Sequence, residues 1–337
     1  MRLFAKIQRW PLREPFTISR RTFVDSLTIT VQVHDDEGRT GQGECEPHEW
    51  DEGVAQQLLA EHGLLPGTDE LGQAPEGPRD LRRDQLGSRL RNTPLRNAID
   101  CALWDLDAKR LGRRAWALAG WDDAAPLTVP VVPTIGLAEP QVMEEQAREM
   151  GSPRWVKLKL GAADSQDPQR LEAVAGALPH SRLLVDANGG WTPATLQAML
   201  PLAQRLGVCV IEQPLPPELD SAMPVPPSGI VFCADESCLD RASLPAVRRH
   251  FQWINIKLDK CGGLSEALAL RDAAEAQSLG VMVGSNGGTS LAMAPAFVLA
   301  QGLEIVDLAV DHLLHDREPA VCIAGQVMQQ PPRALWG

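Results

Sequence analysis

Charged residues close a series of short apolar runs, and their types and order carry the first chemical meaning. Lys157 and Lys159 close the run from Trp155, Asp186 closes the run from Leu183, and Glu212 closes the run from Val208. Asp235 then closes the run from Val231, and Lys257 the run from Trp253. Three carboxylates brought together without soft ligands suit a hard divalent ion, and a site that keeps positions open for substrate suits magnesium. Held against a substrate carboxylate, such an ion is a Lewis acid for the charge that builds when the neighbouring carbon loses a proton. Lys159 and Lys257 would then face that carbon from two sides. A lysine with a pKa of about 10.4 stays protonated at neutral pH, so a base needs a cause for its neutral form. Lys157 lies two positions from Lys159 and shares its face of a strand, so its charge is expected to lower the pKa of Lys159. Lys157 is also a candidate contact for the substrate carboxylate.

The elements that must position these groups are legible as a repeat. From Lys159 the run ends fall at Asp186, Glu212, Asp235, Lys257, Gly284 and Asp307, in steps of 27, 26, 23, 22, 27 and 23 residues. That period fits one strand, one helix and two loops, hence a parallel barrel with its chemistry at the C-terminal ends of the strands. Leu127 to Pro133 is expected as strand 1, which makes the lysine run strand 2 and the Lys257 run strand 6, opposite each other. The three carboxylates end strands 3, 4 and 5 on the wall between. Charges often cap strands merely to meet solvent, but that explanation predicts no such ordering. Before the barrel, the stretch from Leu3 to about Glu46 alternates like antiparallel strands, with a turn at Asp35-Asp36-Glu37-Gly38. A Gly/Pro/Asp-rich tract at about 63–80 precedes a helix around 94–106, which completes a small α+β domain. Trp104 in that helix reads as core packing. The expected organisation is a cap over 1–120, a barrel over 121–318, and a segment 319–337 that returns to the cap.

Composition removes other functions. A net charge of -12 disfavours nucleic acid and anionic membrane surfaces as partners, leaving a small-molecule substrate. The N-terminal residues break their apolar stretch with charge too often for a signal-peptide core, and no run approaches the length of a membrane span, so a cytoplasmic location is expected. The seven cysteines contain no Cys-x-x-Cys pair and read as reduced thiols rather than as disulfides or a zinc site.

The motifs Lys157-Leu158-Lys159, Asp186-Ala187-Asn188, Ile211-Glu212-Gln213-Pro214, Ala234-Asp235-Glu236-Ser237 and Asn255 to Gly263 resemble the enolase superfamily. The resemblance is to the subgroup of muconate lactonizing enzymes and dipeptide epimerases of the L-Ala-D/L-Glu type. It extends to Gly43-Glu44-Cys45 and to Arg96 through Leu106, and so covers nearly the whole chain. It implies an N-terminal α+β capping domain on a modified TIM barrel, (β/α)7β. It also implies Asp186, Glu212 and Asp235 as ligands of one Mg2+ per subunit, Lys159 and Lys257 as the acid/base pair, and possible homo-oligomers. Enolase-superfamily enzymes use lysine or histidine bases beside magnesium, and the resemblance implies the same here.

The implied activity is a racemase or epimerase that inverts the carbon next to a carboxylate, with a dipeptide as substrate. The same two-lysine core would serve a cycloisomerase, an o-succinylbenzoate-type dehydratase or an N-acylamino acid racemase. A barrel that binds without catalysis is the alternative of a different class, and retention of all three carboxylates and three lysines argues against it. Two departures concern specificity. The resembled epimerases hold the dipeptide ammonium with Asp-x-Asp at the last strand, whereas this chain has Asp307-Leu308-Ala309, with Asp311 further along the loop. Ser285 and Asn286, in the turn Gly284 to Ser290, stand where those enzymes have a different sequence, and are candidate substrate contacts. In the cap, Arg20 and Arg21 are candidates to pair an acidic side chain, while the acidic stretch Glu46 to Glu52 would favour a cation.

Overall fold

The computed structural model describes residues 1–47, 51–61, 83–122 and 127–337. The tract at 63–80 and the centre of the acidic stretch, residues 48–50, lie outside the described residues. The chain opens with three antiparallel strands, β1 (Arg2–Ile18), β2 (Arg21–His34) and β3 (Thr40–Cys45). The β1–β2 ribbon is far longer than its sheet requires, and its tip reaches over the barrel mouth. Asp35 fixes the β2–β3 turn by accepting the Glu37 and Arg39 N–H groups at 3.0 and 2.9 Å, while Gly38 takes a φ of +83°.

The helix Thr93–Leu111 packs on β3. It starts where the Asn92 side chain accepts the Leu95 N–H at 3.0 Å and stops at Gly112 with a φ of +65°. Gly41 and Gly43 of β3 let it approach, because a Cβ on either would collide with the helix carbonyls of Ala102 and Ala98. Its other side faces the barrel. Trp104 is buried there and donates to Ser265 Oγ at 2.9 Å.

Eight parallel strands in sequential order form the barrel: β5 (Thr134–Ile135), β6 (Trp155–Lys159), β7 (Arg182–Asp186), β8 (Val208–Glu212), β9 (Val231–Ala234), β10 (Trp253–Ile256), β11 (Gly280–Gly284) and β12 (Val306–Asp307). The Val132 N–H donates to Val306 O at 2.8 Å across the closing edge. Strand 1 therefore lies later than Leu127 to Pro133. Residues Thr128–Pro130 form β4 in a separate sheet, antiparallel to β14 (Val327–Gln329), which also pairs with β13 (Ile323–Ala324). Pro130 and Pro133 supply no N–H for a continuous barrel strand, which is why the run divides. The lysine strands keep their places as second and sixth. The repeat is also less regular than expected between β8 and β9, where six prolines between Pro214 and Pro227 leave only the 3-10 turn Pro217–Ala222 in place of a helix.

The cap is tied down at two seams. Arg317, from the loop after β12, reaches Glu44 of β3 with Nε at 3.2 Å and Thr289 Oγ1 at 2.7 Å. The chain end closes the second seam: Trp336 Nε1 donates to Cys101 O at 3.0 Å and the Gly337 N–H to Asp105 Oδ1 at 2.8 Å. Among the described residues no helix is long and apolar enough to cross a membrane.

Candidate active site

Alternation along a strand sends every second residue into the barrel. At the N-terminal end those residues are Val132, Trp155, Leu184, Val210, Cys233, Met282 and Ile305, a single buried apolar cluster. Two residues further along the same strands stand Thr134, Lys157, Asp186, Glu212, Asp235, Gly284 and Asp307. The interior turns from wholly apolar to mostly charged in one step.

Asp186, Glu212 and Asp235 each offer an oxygen within 4.8 Å of the others, and all three residues are buried. Burial pushes the Glu212 carboxyl up to about 7, and the charge of Asp186 adds to the effect. Burial opposes ionisation of Asp186 and Asp235 as well, but the ammonium groups of Lys157 and Lys159 on one side, and Lys257 and Lys260 on the other, outweigh it and hold both below the ordinary carboxylate range. Glu212 Oε2 makes no hydrogen bond, although the Lys157 ammonium lies 2.8 Å away. A cluster of three hard oxygen donors, one with an unused lone pair, fits a divalent cation such as magnesium.

Lys159 Nζ lies 2.6 Å from Asp186 Oδ2, and Lys257 Nζ lies 2.7 Å from Asp235 Oδ2. The two lysines thus flank the carboxylates from opposed strands, each paired to the nearer one. The Asp235 carboxylate holds the Lys257 ammonium above the usual lysine range, against the effect of burial. Lys157 is not on the cavity wall. It is fully enclosed, with Nζ at 2.9, 2.8 and 2.6 Å from Asp186, Glu212 and Asp307. Burial disfavours its charge, but these three carboxylates outweigh that and raise its pKa well above the ordinary value. Its single charge is therefore spent on the carboxylate cluster beneath the site. Of its two expected roles, repulsion toward Lys159 and contact with the substrate carboxylate, the first is exerted across Asp186 Oδ2, which both ammonium groups share at 2.9 and 2.6 Å.

Both catalytic candidates open onto a cavity of about 600 Å³ that also exposes Arg20, Asp235, Glu236, Ser285, Asn286 and Asp307. The ribbon tip forms its roof with Phe16, Ile18 and Phe23. Arg20 enters the cavity wall and pairs with Glu236 Oε1 at 2.9 Å, whereas Arg21 lies over the Phe23 ring at 5.3 Å and does not line the cavity. Asp307 accepts from Thr134 Oγ1 at 3.0 Å in addition to Lys157, so its carboxylate is engaged on the barrel side. Asp311 is largely exposed, 3.9 Å from Arg13. Ser285 Oγ accepts the Ala309 N–H at 2.9 Å, which joins the seventh and eighth strand loops.

The glycines of the 284–290 turn serve the cap rather than a loose loop. The Gly288 N–H donates to Ser26 Oγ at 3.0 Å and the Thr289 N–H to Glu44 Oε1 at 2.7 Å, and a Cβ on Gly287 would meet Glu46 Oε1 at 2.6 Å. Glu46 is buried on the cavity wall and accepts from Ser26 Oγ at 2.7 Å. Three further residues were not singled out from sequence. Lys260 contacts Asp235 from the helical turn after Lys257, at the i+3 spacing that places both on one side. Asn255, two residues before Lys257 on the same strand face, donates to Glu212 Oε1 at 2.7 Å. Glu236 follows Asp235 directly and receives both Arg20 and, at 3.4 Å, Asn188 Nδ2.

Residues 2–120 match the mandelate racemase / muconate lactonizing enzyme N-terminal domain, and residues 142–334 match the enolase C-terminal domain-like family. The chain is 34% identical over 319 residues to the L-Ala-D/L-Glu epimerase of Escherichia coli (strain K12), covering 93% of this chain and 95% of that one. It is 38% identical over 261 residues to the N-acetyl-D-glutamate racemase of a Pseudoalteromonas species, covering 77% and 81%. A crystal structure of an enolase family member from Agrobacterium tumefaciens with homology to dipeptide epimerases, holding sodium and L-Ala-L-Glu, superimposes with a TM-score of 0.87. That likeness has 35% identity and covers 100% of this chain and 99% of the other.

Proposed function

The chain belongs to the mandelate racemase / muconate lactonizing enzyme family of the enolase superfamily, and from that premise we propose a magnesium-dependent epimerase that inverts the carbon next to the carboxylate of a dipeptide. The observation that carries the reading is the placement of Lys159 and Lys257 on opposed strands, each paired to a carboxylate of the intervening cluster, at 2.6 and 2.7 Å. Asp186, Glu212 and Asp235 would hold one Mg2+ per subunit. When bound, the ion supplies Lewis-acid stabilisation to the charge that develops on the substrate carboxylate.

The remaining work falls to the chain. One lysine takes the proton from its face of the α-carbon and the other returns a proton from the opposite face. Removing a proton requires a neutral amine, so the carboxylate partner of that lysine must be engaged elsewhere at that moment. The ribbon roof of Phe16, Ile18 and Phe23 sets apolar side chains over the cavity and lowers the polarity around the developing charge. Arg20 is placed to meet an acidic side chain, which agrees with the glutamate-type substrates of the similar proteins named above. The seven unpaired cysteines suit a reducing compartment, and we place the enzyme in the cytoplasm.

A second reading, an N-acylamino acid racemase, is favoured by one observation. Asp307 is committed to Lys157 and Thr134, and Leu308-Ala309 add no further carboxylate for a free ammonium group. Proton NMR in deuterated buffer with Mg2+ separates the readings, using L-Ala-L-Glu and other L,L-dipeptides beside N-acetylglutamate. Exchange with inversion on dipeptides supports the proposal, and exchange confined to the N-acyl compound supports the second reading. A product lighter by one water would replace both with a dehydratase.

A further inference from the structure

Gln213 follows the ligand candidate Glu212 and is itself absent from the cavity wall. It is fully buried and carries a φ of +32°, a region that side-chain-bearing residues seldom occupy unless their surroundings enforce it. The surroundings are an unusually complete set of bonds. Oε1 accepts the backbone N–H of Asp235 at 3.0 Å and of Ser237 at 3.1 Å. Nε2 donates to Leu215 O and to Ser237 Oγ, both at 2.8 Å. Its backbone N–H donates to Cys233 O at 2.9 Å, and its carbonyl accepts the Gly189 N–H at 2.7 Å.

One residue therefore touches the chain just beyond Asp186, is covalently joined to Glu212 and holds the backbone of Asp235. The strand ladder ends at these positions, so the Asp235 N–H finds no strand partner, and an unpaired buried N–H is costly. The Gln213 amide fills that role and links the three strand ends. From this geometry we infer that Gln213 is a positioning residue that fixes the spacing of the three carboxylates and thereby the affinity of the site for a divalent cation. The inference rests on the metal reading of the previous subsection.

Mn2+ is the probe, with affinity read from the free-ion signal in electron paramagnetic resonance and folding read from circular dichroism. Gln213→Met keeps the bulk and removes every side-chain hydrogen bond, whereas Gln213→Glu keeps an acceptor for the two N–H groups. The Met variant is expected to bind Mn2+ about tenfold more weakly or worse, the range seen when groups supporting metal ligands are removed, while the Glu variant stays within about threefold. Saturating Mn2+ should restore turnover of the Met variant. A folded Met variant with wild-type affinity overturns the inference, as does an equal loss in both variants. Failure of both to fold overturns it in favour of a purely structural residue. A wild-type protein that binds no Mn2+ removes the metal reading itself, an outcome distinct from the others.

Discussion

The two layers of the barrel interior share their strands and differ in almost everything else. The layer at the N-terminal end, from Val132 and Trp155 round to Ile305, is a closed apolar plug. One step up, Lys157 lies enclosed among three carboxylates at 2.6 to 2.9 Å. Burial stabilises the first layer, whereas in the second it opposes charge, and the ion pairs of Lys157, Asp186 and Asp235 are what keep those groups ionised. The contrast teaches that the apolar layer alone can set the strand register on which the charged layer is displayed. The plug and the surrounding helices hold the strands in register, and the charged layer uses a geometry it did little to create.

Substitutions in the lower layer test this division. Leu184 is fully buried two residues before Asp186, and Leu184→Ala should cost about 2–5 kcal/mol in urea unfolding. Turnover per folded molecule and Mn2+ affinity should remain near wild type. A large loss of turnover at unchanged stability would break the comparison, because the plug would then be shaping the chemistry.

A smaller effect sharpens it at the cap seam, where a carboxyl is buried for docking rather than for catalysis. Asp259 accepts from Asn97 Nδ2 at 2.7 Å and from the Glu46 N–H at 3.4 Å. Burial pushes its carboxyl up to about 8, and the nearby Glu46 and Glu44 charges add to the shift. The folded state keeps a proton that the unfolded chain releases near the ordinary carboxylate value. The associated stability is therefore complete at acid pH and lost as pH rises through about 8. Urea melts at acid and alkaline pH should show Asp259→Asn flattening this dependence. An unchanged pH dependence in the variant would place the proton elsewhere.

The charged layer was largely legible because its residues sit at the ends of apolar runs, where strand period and repeat length place them without knowledge of contacts. Asp186, Glu212 and Asp235 meet as the spacing requires. What sequence did not reveal was pairing. Lys157 shares a strand face with Lys159, but its three carboxylate partners come from three other strands, and only the closed barrel brings them to it. Strand 1 slipped because apolar character continues through Pro130 and Pro133, where the ladder cannot. The glycines at 287 and 288 permit a close approach, but the groups they meet, the cap carboxylates Glu46 and Glu44, lie more than 200 residues away in sequence.

The most direct test of the account is α-proton exchange in deuterated buffer, followed separately for the two epimers of one accepted dipeptide, with Lys159→Ala and Lys257→Ala. Each variant should bind Mn2+ and lose epimerisation by about 10²–10⁴-fold. Each should retain exchange without inversion only in the epimer whose proton faces the remaining lysine, and the two variants should spare opposite epimers. Exchange of both epimers in either variant, or the same epimer spared by both, would contradict a two-faced lysine site.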